Sequence, residues 1–148
     1  WMHAAAVGSF IRLSPPFGPF GVVDKEPKGA VLVSAGIGMT PMKAILDAHT
    51  STVVKALHID KNQAAVPFHA HFEEVNKDKN QFVYTEGGRP DMTELAANLI
   101  KEVGVENHFY VCGPTSFMKD IVHALVAASV PRAQIVWEAF SPQLSCPV

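Results

Sequence analysis

The sequence predicts an α/β fold: a five-stranded parallel sheet of order 3-2-1-4-5, with helices on both faces. Three observations support it. From Ala30 onward, short apolar runs alternate with segments of helical periodicity. Two of the runs end in glycine turns that lead into helices, as in nucleotide-binding units. The 148 residues, 48% hydrophobic and 18% charged, suffice for one buried core. Strands that alternate with helices require right-handed crossovers, and hence a parallel sheet.

The first strand is predicted in "AVLVSA", a continuous apolar run suited to a strand that is covered on both faces. The helix after it is predicted to begin with Thr40 as N-cap. Pro41 then takes the first helical position, where its missing N–H costs nothing. The second strand is predicted in "TVVKALHI", the next helix in "PFHAHFEEV" and the third strand in "QFVYT".

The third helix has the clearest signals at both ends. In "PDMTELAANLIKEVG", Asp91 and Glu94 have the spacing of a capping box, and Gly104 supplies the stop. The fourth strand is predicted in "HFYVCG". A helix that Pro114 opens and Pro131 closes follows, and the fifth strand is predicted in "QIVWEAF".

Composition excludes several classes of function. The net charge of −2 and the pI near 6.4 give no basic surface for nucleic acid. No apolar run approaches the roughly 20 residues of a membrane span. The two cysteines, Cys112 and Cys146, form neither a disulfide framework nor a metal cluster, which favours a reducing cytoplasm. His69 and His71 are two apart and so do not share a helix face, which predicts no metal site.

The glycine turns predict a binding site. In the order 3-2-1-4-5, strands one and four are neighbours where the winding reverses, so "VSAGIGMTP" and "YVCGPTS" face one crevice. Glycines allow close approach of a pyrophosphate, and free N–H groups at a helix start attract its charge. We therefore predict that Gly36, Ile37, Gly38, Thr40 and Pro41 bind a dinucleotide. The alternative is a plain strand–helix turn.

Cofactor choice is expected to depend on "HIDKN" after the second strand. Asp60 is placed to accept hydrogen bonds from ribose hydroxyls and to repel a 2′-phosphate, which favours NADH. Lys61 would instead pair with that phosphate and favour NADPH. No arginine stands nearby to clamp a phosphate, so the balance favours NADH.

The turn pair G-x-G-x-T-P and Y-V-C-G-P resembles the nicotinamide-binding domain of the ferredoxin–NADP reductase superfamily. Within it, the chain most resembles the reductase part of flavohemoglobins. The matching segments are "WMHAAAVGS", "LSPPFGPF", "GIGMTPM", "HAHFEEV" and "EAFSP". Departures from the family pattern are Met2 for Leu, Ser9 and Pro19 for Asp, and Ala139 where relatives often have cysteine.

The resemblance implies further site residues. Cys112, Gly113 and Pro114 would hold the nicotinamide edge, with Cys112 close to the hydride-donating carbon. Glu138 and Phe140 would lie near the flavin ring. The alternatives are a buried structural cysteine for Cys112 and a core aromatic for Phe140.

The resemblance also implies the wider organisation. Residues 1–24 would be the tail of a flavin-binding barrel plus linker, and residues 25–148 the NAD(P)H-binding domain. Most of the FAD domain, and any haem-binding globin, would lie upstream. The expected reaction passes hydride from nicotinamide to flavin. Two alternatives remain: the reductase component of an oxygenase with an iron–sulfur partner, and a binding-only domain without hydride transfer.

Overall fold

A computed structural model of the chain describes residues 2–15, 18, 20–21 and 28–140. Five strands and four helices alternate along it. The strands are β1 Ala30–Ala35, β2 Val53–Asp60, β3 Asn80–Tyr84, β4 His108–Cys112 and β5 Ile135–Glu138. The helices are α1 Met39–His49, α2 His69–Val75, α3 Met92–Val103 and α4 Thr115–Ala127. None of the helices in these ranges is both long and apolar enough to cross a membrane.

The five strands form one parallel sheet in the order β3-β2-β1-β4-β5, which confirms the predicted fold. β1 lies at the centre and pairs with β2 on one side and β4 on the other. Because all strands run in the same direction, their carboxyl ends share one edge of the sheet. The reversal of winding falls between β1 and β4 at that edge.

Two apolar layers cover the two faces of the sheet. Alternate residues of β1 point to opposite faces, so Leu32 packs under α1 and α2 while Val33 packs under α3 and α4. The α1/α2 layer includes Met42, Leu46 and Phe72, all nearly inaccessible to solvent. The larger α3/α4 layer is built from the following buried side chains: Ala96, Leu99, Phe117, Met118, Ile121, Val122 and Leu125.

The ends of α3 are as predicted. The Asp91 carboxylate accepts hydrogen bonds from the backbone N–H groups of Thr93 (2.8 Å) and Glu94 (3.3 Å). Gly104 ends the helix with φ +80°, a conformation that side chains disfavour. The helix is thus specified locally at both termini.

The predicted start of α1 is wrong. A single 3-10 turn, Gly36–Gly38, leads directly into the helix, so Gly38 is the N-cap and the helix begins at Met39. The Thr40 hydroxyl donates to the Ile37 carbonyl oxygen at 2.9 Å, so it does not cap the helix. Pro41 consequently lies at the third helical position, which is still within the first turn. Because N–H groups in the first turn have no intrahelical partner, the missing N–H of proline costs no hydrogen bond there.

The N-terminal residues contact the domain at few points. Residues 2–15 contain a 3-10 turn, Met2–Ala4, and no strand, and the side chains of Val7, Phe10 and Leu13 are exposed. Phe20 packs edge-on against Tyr110, with ring centroids 6.2 Å apart. Pro19, Pro142 and Cys146 lie outside the described residues. The assignment of residues 1–24 to a flavin-binding barrel stays a prediction.

Candidate functional site

All predicted site residues lie at the carboxyl edge of the sheet. Asp60, Cys112 and Glu138 are the last residues of β2, β4 and β5. The others follow a strand end within a few residues: Gly36, Ile37, Gly38, Thr40, Pro41, Lys61, Gly113, Pro114 and Phe140. The fold therefore brings the predicted set to one edge.

The two glycine turns touch each other. A Cβ atom at Gly38 would lie 2.7 Å from the backbone nitrogen of Gly113 and 2.5 Å from the carbonyl carbon of Cys112. A Cβ atom at Gly113 would lie 3.1 Å from the Ala35 carbonyl oxygen and 2.7 Å from the Phe117 ring. No side chain fits at Gly38 without moving the backbone, and one at Gly113 would require the Phe117 ring to move. The turns after β1 and β4 thus form one continuous surface.

Gly36 has a different reason to be glycine. Its φ is +53°, in the left-handed region, while nothing lies within 4 Å of the place where a Cβ would be. The space in front of this turn is open, and the next residue, Ile37, is 63% exposed. An open glycine turn at the start of a helix is the arrangement that admits a phosphate group to the backbone N–H groups.

Cys112 is a buried, neutral thiol. Its side chain is inaccessible to solvent, and burial, reinforced by the nearby Glu138 carboxylate, raises its pKa to about 12. A thiol with this pKa is not a nucleophile at neutral pH. Cys112 also pairs with Glu138 in the parallel ladder between β4 and β5. Cys112 can therefore act by shape and position, but not by covalent chemistry.

Phe140 is not a core aromatic. It follows β5 and is 57% exposed, at the same edge as the glycine turns. Glu138 is half-buried. Among the described residues, Phe140 is thus an exposed aromatic residue two positions beyond Glu138, which pairs with Cys112.

Asp60 and Lys61 differ sharply in exposure. The Asp60 side chain is 12% exposed, and one of its oxygens accepts the Lys61 backbone N–H at 2.8 Å. The second oxygen lies 3.3 Å from His58 Nε2. Lys61 is exposed and follows the strand end. The carboxylate is therefore fixed in place, whereas the ammonium group is solvated.

Sequence reasoning missed Ser34 and His58. Ser34 Oγ lies 2.8 Å from His58 Nδ1, and both residues are 2% exposed. Their pairing depends on the β1–β2 register, which brings together residues 24 positions apart in the chain. A polar residue within each of two apolar strands was the only available signal.

The paired histidines of α2 have structural partners. His69 stacks on Phe82 at 4.5 Å between ring centroids, and His71 Nε2 lies 2.6 Å from Asp47 Oδ1. Within residues 2–15, 18, 20–21 and 28–140, no group of three or more metal-ligating side chains is assembled.

Comparison with known proteins shows which proteins are similar to this chain. No family model matches the sequence. The flavohemoprotein of Xylella fastidiosa is 30% identical over 151 residues, which is 93% of this chain and 38% of the relative. The chain thus spans well under half the length of that protein.

Two solved structures share the fold. Flavohemoglobin from Malassezia yamatoensis, with bound FAD and haem, superposes with a TM-score of 0.60 at 26% identity, covering 80% of this chain and 33% of that one. Phthalate dioxygenase reductase, described as a modular structure for electron transfer from pyridine nucleotides to a 2Fe–2S centre, superposes with a TM-score of 0.66 at 20% identity. The covered shares are 84% of this chain and 39% of that one. The chain therefore has the ferredoxin reductase-like nucleotide-binding fold and is similar in sequence to part of the flavohemoproteins.

Proposed function

We propose that the chain is the NAD(P)H-binding domain of an FAD-dependent oxidoreductase in which hydride passes from nicotinamide to flavin. The contact between Gly38 and the Cys112–Gly113 turn carries this proposal. It joins two glycine turns at the winding reversal of a parallel sheet, where dinucleotides bind in such folds. FAD would be bound mainly by residues outside this chain.

The pyrophosphate would lie across the first turn. Gly36 leaves open space in front of the backbone of the turn that runs into α1. The N–H of Met39, the first residue of α1, is already bonded to the Gly36 carbonyl oxygen, so the pyrophosphate would meet the remaining N–H groups of the turn. The helix dipole adds a partial positive charge there. Because Thr40 Oγ donates to the Ile37 carbonyl oxygen, its hydroxyl supports the shape of the turn. Pro41 helps to hold the backbone angles of this first helical turn.

The nicotinamide would lie over the second turn. Gly113 and Pro114 are accessible beside the pyrophosphate site, and the buried Cys112 precedes them in the chain with Glu138 as its neighbour in β5. The cofactors supply the hydride chemistry, and the protein orients the two rings and excludes water. The exposed Phe140 ring would cover the flavin face until nicotinamide displaces it.

The adenosine ribose would meet Asp60. A carboxylate accepts hydrogen bonds from the 2′- and 3′-hydroxyls and repels a 2′-phosphate. Lys61 is exposed, and its ammonium group is a point charge that lacks the bidentate geometry of a guanidinium. We therefore propose NADH as the preferred dinucleotide.

The sequence relationship favours a flavohemoprotein-type enzyme. In that case electrons would pass from flavin to haem in another part of the protein and support nitric oxide dioxygenation. The reductase of an oxygenase would share the same first half-reaction. We propose the cytoplasm as the location, because the free thiol Cys112 suits a reducing compartment.

A titration of the isotope-labelled chain with NADH tests the proposal. We expect backbone amide shifts concentrated at Gly36, Gly38, Thr40, Cys112 and Gly113. Gly38→Ala should abolish them, because its new methyl group would separate the two turns. Gly87→Ala is the matched control, since a Cβ at that exposed glycine meets nothing within 4 Å.

Two results would contradict the proposal. One is the absence of shifts at millimolar NADH and NADPH in both this chain and the protein extended by its flavin domain. The other is a set of shifts that spares the two turns and lies elsewhere on the domain.

A further inference from the structure

Five side chains form a row across the sheet next to the site. The register aligns Glu138, Cys112, Ser34, His58 and Phe82, one from each strand. In a parallel sheet, aligned residues point to the same face, here the face covered by α1 and α2. The row therefore runs from the proposed nicotinamide end to the proposed adenosine end.

Two residues of the row, Ser34 and His58, form a hydrogen-bonded chain with Asp60, which lies two positions beyond His58 in β2. His58 lies between Ser34 Oγ, 2.8 Å from its Nδ1, and Asp60 Oδ2, 3.3 Å from its Nε2. Phe82 packs edge-on against the imidazole, with ring centroids 6.4 Å apart. The ring is thus held on three sides.

The arrangement selects one tautomer of His58. Burial lowers the pKa of His58 below its usual value, although Asp60 opposes this shift, so the ring is neutral at pH 7. A neutral ring has one N–H. If the proton were on Nδ1, the bare Nε2 would face a carboxylate oxygen, lone pair against lone pair. The proton must therefore be on Nε2, which donates to Asp60, while Ser34 Oγ–H donates to Nδ1.

Serine, histidine and aspartate in this order resemble a hydrolytic triad, but these three residues do not fit hydrolytic chemistry. Ser34 is 2% exposed inside the central strand, so no substrate carbonyl can reach its hydroxyl. Its hydroxyl also precedes the glycine turn and is not on a nucleophile elbow. The only member of the chain with accessible surface beyond a few percent is Asp60.

We propose that Ser34 and His58 are positioning residues that hold the Asp60 carboxylate in the orientation that selects NADH over NADPH. This inference rests on the proposed function. His58 and the Lys61 N–H each occupy one lone pair of a different carboxylate oxygen. One lone pair on each oxygen is left for the two ribose hydroxyls. Without Ser34 and His58, the Asp60 side chain would rotate and lose this two-point contact.

Dissociation constants for NADH and NADPH, measured by amide shifts, test the proposal in the 148-residue chain. We expect His58→Leu to weaken the binding of NADH about tenfold and that of NADPH much less, so the preference for NADH over NADPH is lost. His58→Gln, whose amide can still donate to Asp60, should restore most of the preference. Asp78→Asn is the control, since it removes an exposed carboxylate on the segment before β3, away from the site edge.

Equal weakening of both dinucleotides by His58→Leu would show a merely structural role and overturn the proposal. So would wild-type protein that binds NADH and NADPH equally well. If neither dinucleotide binds to the wild-type chain or to the protein extended by its flavin domain, the proposed function fails instead.

Ring nitrogen shifts of His58 give a second measurement that needs no variant. If the proton is found on Nδ1 in the ligand-free wild type, the proposed Ser34–His58–Asp60 hydrogen bonds are wrong, whatever the binding data show. We expect it on Nε2, with a change in both ring nitrogen shifts when NADH is added.

Discussion

Gly38 and Cys112 lie against each other where β1 and β4 end, and each limits what the other position can hold. The absence of a side chain at Gly38 lets the backbone of Cys112 approach. Cys112 is buried in the α1/α2 layer, and this burial keeps its thiol neutral. The two residues are 74 positions apart, yet the glycine motif and the strand order were sufficient to predict that they face one crevice.

We expect Cys112→Ala to slow flavin reduction by NADH in the protein with its flavin domain, because the buried thiol helps to hold the Gly113–Pro114 turn on which the nicotinamide would lie. The wild-type rate should show no thiol titration between about pH 6 and 9, since the pKa is raised to about 12. Stopped-flow measurement of flavin bleaching checks both points. An unchanged rate in the variant would remove Cys112 from the site.

The raised pKa of the Cys112 thiol also makes the stability of the fold depend on pH. Above pH 9 the thiol ionises in the unfolded chain but keeps its proton in the folded one, so the unfolded state binds fewer protons. The contribution of Cys112 to the free energy of unfolding therefore falls as pH rises from 9 towards 12, by about 1.4 kcal/mol per unit.

The Ser34–His58–Asp60 chain shows what a sequence hides at this scale. Glycine turns, caps and apolar periods are local patterns that can be read along the chain. A hydrogen bond between neighbouring strands requires the register, and a shift by one residue would turn His58 to the opposite face. Its existence could be known only once the strands were aligned.

The helices and strands were predictable to within a few residues because each carries its own signals. α3 has a carboxylate cap, an apolar stripe and a terminal glycine. α1 was displaced because two glycines allow a 3-10 turn to run straight into the helix, which makes the Thr40 cap unnecessary. The error in α1 thus arises at residues of the proposed site.

At this scale we expect Asp91→Ala to lower the free energy of unfolding by about 1 kcal/mol, because two N–H groups of α3 lose their acceptor. Affinity for NADH should not change, since the cap belongs to a helix outside the site. Urea denaturation measures the first effect and amide-shift titration the second. Asp78→Asn, an exposed carboxylate with no cap contact, is the control.

In the whole molecule, the sheet separates two apolar layers that share its strands. Leu46 is fully buried in the α1/α2 layer and Leu125 in the α3/α4 layer. Alternate residues of the same strands hold both layers in place. The layers should therefore unfold together.

We expect Leu46→Ala and Leu125→Ala each to lower the free energy of unfolding by about 2–5 kcal/mol in a single transition. Val126→Ala, next to Leu125 but 41% exposed, should stay within about 0.5 kcal/mol of wild type. Urea unfolding followed by tryptophan fluorescence and by circular dichroism checks this. Two separated transitions in either leucine variant would show that the layers are independent.

The central place of β1 also has a consequence for how the chain is made. β1 ends at residue 35, but its partner β4 spans residues 108–112, so one edge of the most apolar strand stays unpaired while the intervening chain is synthesised. At about 5–20 residues per second, that interval is on the order of 4–15 s on the ribosome. An open apolar edge invites pairing with other nascent chains. The proposed cofactor crevice, which needs β4 beside β1, thus forms only after that interval, and α1 cannot protect the open edge because it covers a face of the sheet.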